Sequence, residues 1–138
     1  MPKEHLNPPS LYPSEQYGFS QIVTATPGKM VFLSGQVAWD PQQELIGRDD
    51  LKAQAIHALR NVEKGLDAAG ATLANVVSLR LYIVDYASQK APQITEALKA
   101  VFGEAPLPAC TWIGVAALAD EGFLIEIEAT AVADETAV

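Results

Sequence analysis

The chain has 138 residues, which is enough for one domain with its own core and too few for two. Hydrophobic residues make up 49% and charged residues 19%, which excludes intrinsic disorder and suggests apolar surface that something other than the chain itself buries. Lys and Arg number 9 against 17 Asp and Glu, a net charge of −8, and because such a chain repels phosphate backbones we expect no nucleic-acid partner.

The start of the chain predicts an irregular arm over residues 1–16, because prolines at positions 2, 8, 9 and 13 stand among Asn and Ser. We expect residues 17–138 to form the single domain. Its first strands are predicted over residues 20–25 and 29–34, separated by a Thr-Pro-Gly turn signal. A third extended segment is predicted over residues 36–40, where the next residue is a proline.

Two amphipathic helices follow from apolar residues spaced three and four apart. Either Asp49 or Asp50 is expected to cap the first helix, which ends at Gly70. The second helix is predicted to begin at Ser88, to carry a proline near its first turn and to end at Gly103.

Three more strands are predicted over residues 76–84, 110–118 and 123–132. The resulting order is strand, strand, strand, helix, strand, helix, strand, strand. Strands interleaved with two amphipathic helices predict an α+β fold in which one mixed sheet carries both helices on one face.

The other face of this sheet is predicted to be mixed in character. Alternation in the last strand assigns Ile125, Ile127, Ala129 and Ala131 to the helix side. The opposite side then carries Leu124, Glu126, Glu128, Thr130 and Val132 from the last strand, and Ser78, Arg80, Tyr82 and Val84 from the middle strand. Carboxylates and an arginine among apolar residues are typical of a self-associating sheet with a polar cleft. A solvated face with scattered apolar residues is the alternative.

Compartment and metal signals in the sequence are weak. Residues 1–5 show no apolar signal-peptide region, and the longest apolar runs are far shorter than the ~20 residues of a membrane helix. One cysteine, Cys110, cannot form an internal disulfide or a cysteine-based metal site, and His5 and His57 lie far apart. We therefore expect a cytoplasmic protein with no membrane partner and no metal site.

Residues 30–37 read Met-Val-Phe-Leu-Ser-Gly-Gln-Val, and residues 125–132 read Ile-Glu-Ile-Glu-Ala-Thr-Ala-Val. Between them, further matching segments occur in the first helix, the middle strand and the Pro-Ala pair at 108–109. In this order and spacing they resemble the Rid family, also called YjgF/YER057c/UK114 or endoribonuclease L-PSP-like. The resemblance runs from about Tyr17 to Val132.

This resemblance implies a chorismate-mutase-like fold of the bacillary type, assembled as a homotrimer around a central β-barrel. It also implies three clefts between neighbouring subunits. The best-known family activity is the deaminase-type hydrolysis of reactive enamines and imines to 2-oxo acids and ammonia, without metal or cofactor. The implied partners are other copies of the chain and a small-molecule metabolite.

Several site residues follow from the resemblance. Glu126 matches the cleft carboxylate that positions water or moves protons. The backbone of Ser34, Gly35 and Gln36 matches the segment along the cleft. Phe19 matches an aromatic wall that is often a tyrosine, although Phe19 has no hydroxyl to form a hydrogen bond.

One position departs from the family pattern. Cys110 stands where deaminating members carry an arginine that grips the substrate carboxylate, and a thiol cannot replace a guanidinium. Thr111 and Trp112 follow it and are candidate binding residues, Trp112 as an aromatic wall or an interface residue. Arg80 either pairs with Glu126 or Glu128, or supplies the missing positive charge. The thiol itself is either a packing residue or a reactive group.

Three functions are consistent with these observations. The first is an imine or enamine hydrolase with altered specificity, in which Glu126 orients water. The alternative is a non-catalytic trimer that binds small molecules or protein segments. The third is a ribonuclease activity sometimes ascribed to the family, against which the net charge of −8 argues.

Overall fold

The computed structural model describes residues 3–26 and 28–134. Three short 3-10 turns accompany its regular elements, at Glu15–Tyr17, Leu73–Asn75 and Ser88–Lys90. The regular elements in chain order are β1 (Lys3–Leu6), β2 (Ile22–Ala25), β3 (Lys29–Gln36), α1 (Leu51–Ala68), β4 (Val76–Val84), α2 (Ala91–Phe102), β5 (Ala109–Val115) and β6 (Ile125–Ala133). Pro27 of the expected turn and residues 135–138 of the expected domain lie outside the described residues.

The main sheet has four strands in the order β3-β6-β4-β5. Strand β6 lies antiparallel between β3 and β4, whereas β4 and β5 are parallel and α2 connects them. The predicted α+β class with two helices and a mixed sheet is confirmed. Asp50 is the cap of α1, because its carboxylate accepts a hydrogen bond from the Ala53 N–H at 3.0 Å.

The core lies between the two helices and one face of this sheet. Ile125, Ile127 and Ala129 of β6 point into it, as the alternation predicts, together with Leu79 and Leu81 of β4. The helices contribute fully buried apolar side chains, Ala55, Ala58, Leu59, Val62 and Leu66 from α1 and Ile94, Ala97 and Leu98 from α2. No helix formed by the described residues covers the opposite face of the sheet.

The expectation of a wholly irregular arm is wrong at its start. Residues Lys3–Leu6 form β1, which pairs antiparallel with β2 in a separate two-stranded sheet. The Lys3 ammonium donates to the carbonyls of Ala74 and Val76, which anchors this ribbon to the start of β4. Strand β2 therefore lies outside the main sheet. The prediction of a single sheet had placed it inside and is wrong on this point.

The predicted extended segment over residues 36–40 is also not a sheet strand. Strand β3 ends at Gln36, and the amide of Asn61 on α1 donates to the carbonyls of Val37 and Trp39 at 2.8 and 2.9 Å. The Asp40 N–H donates to the Glu44 carbonyl at 3.1 Å. These bonds occupy backbone groups that a strand would have used, so the segment turns back beside α1.

Candidate functional site

A cavity of about 640 Å³ lies beside Glu126, and we call it the Glu126 cavity. Gly35, Gln36 and Trp39 line it from β3 and the segment after it, and Asn61 and Lys64 line it from α1. Its position at the edge of the sheet explains why it takes side chains from both layers. The volume lies within the range of small-molecule sites.

A β-bulge in β3 places Gly35 against Glu126. Leu33 is opposite Ala129 and Gln36 is opposite Ile127, so between these pairs two residues on β3 oppose one on β6. A Cβ atom added at Gly35 would lie 2.0 Å from the Glu126 Oε2 atom. The carboxylate therefore rests in the space that a side chain at position 35 would occupy.

Ser34 lies in the same bulge but does not line this cavity. Its side chain is exposed, and its carbonyl accepts a hydrogen bond from the Gln36 side-chain amide at 3.1 Å. Of the three residues that match the family's cleft segment, Gly35 and Gln36 thus lie at the carboxylate.

The two carboxylates of β6 differ in their partners. Glu128 accepts a hydrogen bond from the Tyr82 hydroxyl at 2.5 Å, and this bond raises the pKa of the Tyr82 phenol. Within residues 3–26 and 28–134, Glu126 has neither a hydrogen bond nor an ion pair from its side chain. Glu126 is therefore the carboxylate that remains available to water or a ligand.

Arg80 lies directly opposite Glu128 in the sheet. Both line a cavity of about 280 Å³ on the uncovered face, together with Ser78 and Thr130. In the part of the chain that the structure describes, Arg80 makes no ion pair within 4.0 Å. Its guanidinium beside the Tyr82 hydroxyl lowers the pKa of Tyr82, first as a hydrogen-bond donor and then by its charge, a smaller effect than that of Glu128. Arg80 does not line the pocket that contains Cys110.

That pocket, of about 420 Å³, lies at the β5 edge of the sheet, and we call it the aromatic pocket. Five aromatic rings line it, from the segment before β2, the loop after β4 and β5. Its lining residues are Tyr12, Tyr17, Phe19, Tyr86, Ala91, Cys110, Thr111 and Trp112. Phe19, Cys110, Thr111 and Trp112 were candidates from the sequence, and the structure brings these four together.

Cys110 is a partly buried free thiol in this pocket. Burial raises the pKa of its thiol to about 12, and the neighbouring Trp112 indole lowers it by less. The indole N–H itself is buried and makes no hydrogen bond of good geometry to any described residue, so its contact with the sulfur is weak. The thiol stays neutral at physiological pH, which favours the packing role over the reactive one.

Glu126 and the aromatic pocket lie on opposite faces of the sheet. Cys110 and Trp112 are opposite Leu79 and Leu81 in the parallel register, and all four pack on the helix side. Glu126 is on the other face, since strand alternation separates it from the buried Ile125 and Ile127. Within one chain these candidate residues therefore do not form one site.

Sequence analysis missed three tyrosines of the aromatic pocket, Tyr12, Tyr17 and Tyr86, and three residues at the Glu126 cavity, Trp39, Asn61 and Lys64. Most of them lie in loops or on a helix face, where strand alternation gives no signal. The one usable signal was three aromatic residues between positions 12 and 19 of an otherwise polar segment.

No three His, Cys, Asp or Glu side chains within residues 3–26 and 28–134 come together as they must to hold a metal ion. In the same part of the chain, every helix is too short or too polar to span a lipid bilayer.

Comparison with known proteins gives consistent matches. The model of the Endoribonuclease L-PSP family matches residues 10–133. Protein DfrA of Myxococcus xanthus is 34% identical over 114 residues, which cover 83% of this chain and 84% of that protein. The 2-iminobutanoate/2-iminopropanoate deaminase of Dermatophagoides farinae is 29% identical over 131 residues, which cover 95% and 97%.

A solved structure matches over nearly the full length. The crystal structure of YyfB from Yersinia pestis, a Rid family protein described as of unknown function, superposes with a TM-score of 0.92. The two chains are 41% identical, and the match covers 96% of this chain and 100% of that one.

Proposed function

Because this chain belongs to the Rid family, whose model spans residues 10–133, we propose that it hydrolyses the C=N bond of a small imine or enamine metabolite. Water adds to the imine carbon, the C–N bond of the resulting carbinolamine breaks, and a carbonyl compound and ammonia leave. The deaminase of Dermatophagoides farinae supports this reaction class by its name.

The observation that carries the proposal is the unpaired Glu126 carboxylate in a cavity of about 640 Å³. A carboxylate with no other partner can accept a proton from the attacking water and return one to the leaving nitrogen. Glu128 accepts a hydrogen bond from Tyr82 and is therefore less free than Glu126 to do the same.

The proposal requires more than one copy of the chain, because Glu126 and the aromatic pocket lie on opposite faces. A homotrimer around a central β-barrel, as in the family, joins the two faces of neighbouring copies in a cleft. Phe32 supports this assembly, since it is 74% exposed on the uncovered face opposite Thr130.

Light scattering tests the assembly, for which we expect the mass of three chains. Phe32→Asp is expected to reduce that mass, whereas Ile46→Asp is a matched control at a residue that is 38% exposed elsewhere. A monomer at micromolar concentration would remove the shared cleft from the proposal.

The substrate is proposed to differ from that of the deaminating relatives. The aromatic pocket contains Cys110, a neutral thiol, where those members carry the arginine that holds a carboxylate. Loss of a bidentate charge-assisted contact weakens binding of an amino-acid-derived anion.

The test uses imines that an oxidase generates in solution, one carrying a carboxylate and one derived from a simple amine. Hydrolysis competes with trapping by semicarbazide, so an active protein lowers the trapped yield. Glu126→Gln is expected to reduce the rate by about 10²-fold or more, while Glu128→Gln is the matched control with little effect. The proposal would be contradicted if the protein accelerated hydrolysis of neither imine above the rate in buffer. It would also be contradicted if Glu126→Gln were as active as wild type.

A second candidate function is non-catalytic binding of a small molecule. The aromatic pocket favours it, because its thiol is neutral and no carboxylate or histidine lines it among the described residues. Under this alternative the imine assay shows no acceleration, while ligands still bind the aromatic pocket. Endoribonuclease activity is disfavoured by the net charge of −8.

A further inference from the structure

The rings of the aromatic pocket meet at steep angles. The Trp112 ring centroid lies 6.4 Å from that of Phe19 and 6.4 Å from that of Tyr86, with interplanar angles of 58° and 68°. Tyr12 meets Phe19 at 6.5 Å and 77°. Rings in these arrangements are tilted or meet edge to face and are not stacked in parallel.

The lining of this pocket is uncharged, and its surroundings are acidic. No charged side chain lines it among the described residues. The nearest lysine along the chain, Lys90, directs its ammonium to the carbonyls of Asp85 and Val84 at 2.8 and 3.3 Å. Exposed carboxylates at Glu15 and Asp85 lie close in sequence to the pocket tyrosines, and the whole chain carries a charge of −8.

We propose that the aromatic pocket binds a small organic cation that carries no carboxylate. An alkylammonium group is the simplest such ligand, and the protonated iminium of an amine-derived imine is the corresponding substrate. The identification of the cation with a substrate rests on the proposed function, whereas the binding itself does not.

A cation fits this pocket better than an anion or a neutral group. The faces of Trp, Tyr and Phe attract a cation through the ring quadrupole, and an acidic chain adds a favourable potential. A carboxylate would find hydroxyl, thiol and indole donors, from Thr111, Cys110, Trp112 and the tyrosines, but no positive charge. A neutral group of the same shape gains the apolar contacts but not the electrostatic attraction.

Three soluble probes of similar size separate these possibilities. Choline carries a trimethylammonium group, 3,3-dimethylbutan-1-ol replaces its nitrogen with carbon, and glycine betaine adds a carboxylate. Ligand-observed NMR titration of the full chain gives each affinity. Spectra of the 15N-labelled protein then locate the site through the indole N–H resonance of Trp112. The only other tryptophan, Trp39, lies against Phe123 in a different cavity.

We expect choline to bind about tenfold more tightly than its carbon isostere, and glycine betaine to bind more weakly than choline. Tyr86→Leu and Trp112→Leu should each reduce the preference for choline over the isostere, whereas Ile46→Leu, at an exposed residue that lines neither cavity, should leave it unchanged. Two variants are used because either could perturb folding, and circular dichroism of each checks this.

Equal affinity for choline and 3,3-dimethylbutan-1-ol overturns the inference, and so does preferential binding of glycine betaine or a choline shift at Trp39 alone. The imine assay is independent of this result. Selective choline binding without hydrolysis refutes only the proposed function, while hydrolysis without any preference for the cation refutes only the present inference.

Discussion

Gly35→Ala is the substitution that tests most directly whether the position of the Glu126 carboxylate matters. The added Cβ would lie 2.0 Å from Oε2, 2.7 Å from Cδ and 2.8 Å from Cγ of Glu126. All three atoms belong to the far end of a flexible side chain. Gly35 is not among the glycines with positive φ, so alanine fits its backbone conformation and the side chain of Glu126 must move.

The size of the effect follows from that overlap. Oε2 must retreat by about 1.5 Å to restore a van der Waals separation near 3.5 Å. Misplacement of a reacting group by about 1 Å lowers a rate by on the order of 10²-fold, so kcat/KM is expected to fall by roughly that factor. Folding is expected to weaken by only about 0.5–1.5 kcal/mol, the cost of an unfavourable rotamer.

The assay combines imine hydrolysis with urea denaturation for wild type, Gly35→Ala, Glu126→Ala and the double variant. In the double variant the clash is absent, so Gly35→Ala should lower neither stability nor the residual rate further. A Gly35→Ala protein with wild-type kcat/KM would refute the reasoning, since the carboxylate would then be displaced without consequence.

Two further predictions concern residues outside the Glu126 cavity. Because burial raises the pKa of Cys110 from 9.0 to about 12, iodoacetamide at pH 9 should alkylate the folded chain far more slowly than the urea-unfolded chain. As pH rises, the thiol loses its proton in the unfolded chain before it does so in the folded chain. Between pH 9 and about 12 the free energy of unfolding of wild type should therefore fall relative to that of Cys110→Ala, by up to about 1.4 kcal/mol per pH unit. Parallel pH profiles of the two proteins would contradict this. Gln54 is fully buried, and its side-chain amide donates hydrogen bonds to two loop carbonyls and accepts one from the Leu124 N–H. Gln54→Leu should therefore lower the free energy of unfolding by at least about 2 kcal/mol, as measured by urea denaturation. The exposed Gln42→Leu should change stability by less than about 0.5 kcal/mol, and similar losses in both would show that these bonds contribute little.

The main sheet and the helices were predictable because their residues repeat a pattern over many positions. Ile125, Ile127 and Ala129 alternate with polar residues along a nine-residue strand, which assigns each face without further information. Strand β1 has only four residues and pairs with residues 22–25. No local pattern encodes such a pairing, and the Lys3 contacts that anchor it are made to backbone carbonyls, which every residue carries.

The site was predictable only in part, for a similar reason. The resemblance to a family pointed to Glu126 and Gly35, and the structure places them in contact distance of each other. Whether Trp112 and Glu126 share a face depends on the register between β4 and β5, which the sequence does not contain. Tyr12 and Tyr86 come from separate loops and meet only after folding.

The division of the candidate residues between two faces of one sheet has a consequence for how the protein can change. The position of the Glu126 carboxylate depends on the bulge at Gly35, whereas the shape of the aromatic pocket depends on β5, α2 and the first loops. The two cavities share no lining residue. Substitutions at Cys110 or Phe19 can therefore change the aromatic pocket while the Glu126 carboxylate keeps its surroundings. In a cleft shared between copies, each subunit would supply a recognition half to one neighbour and a chemical half to the other. A variant defective in one half and a variant defective in the other would then restore intact clefts when mixed.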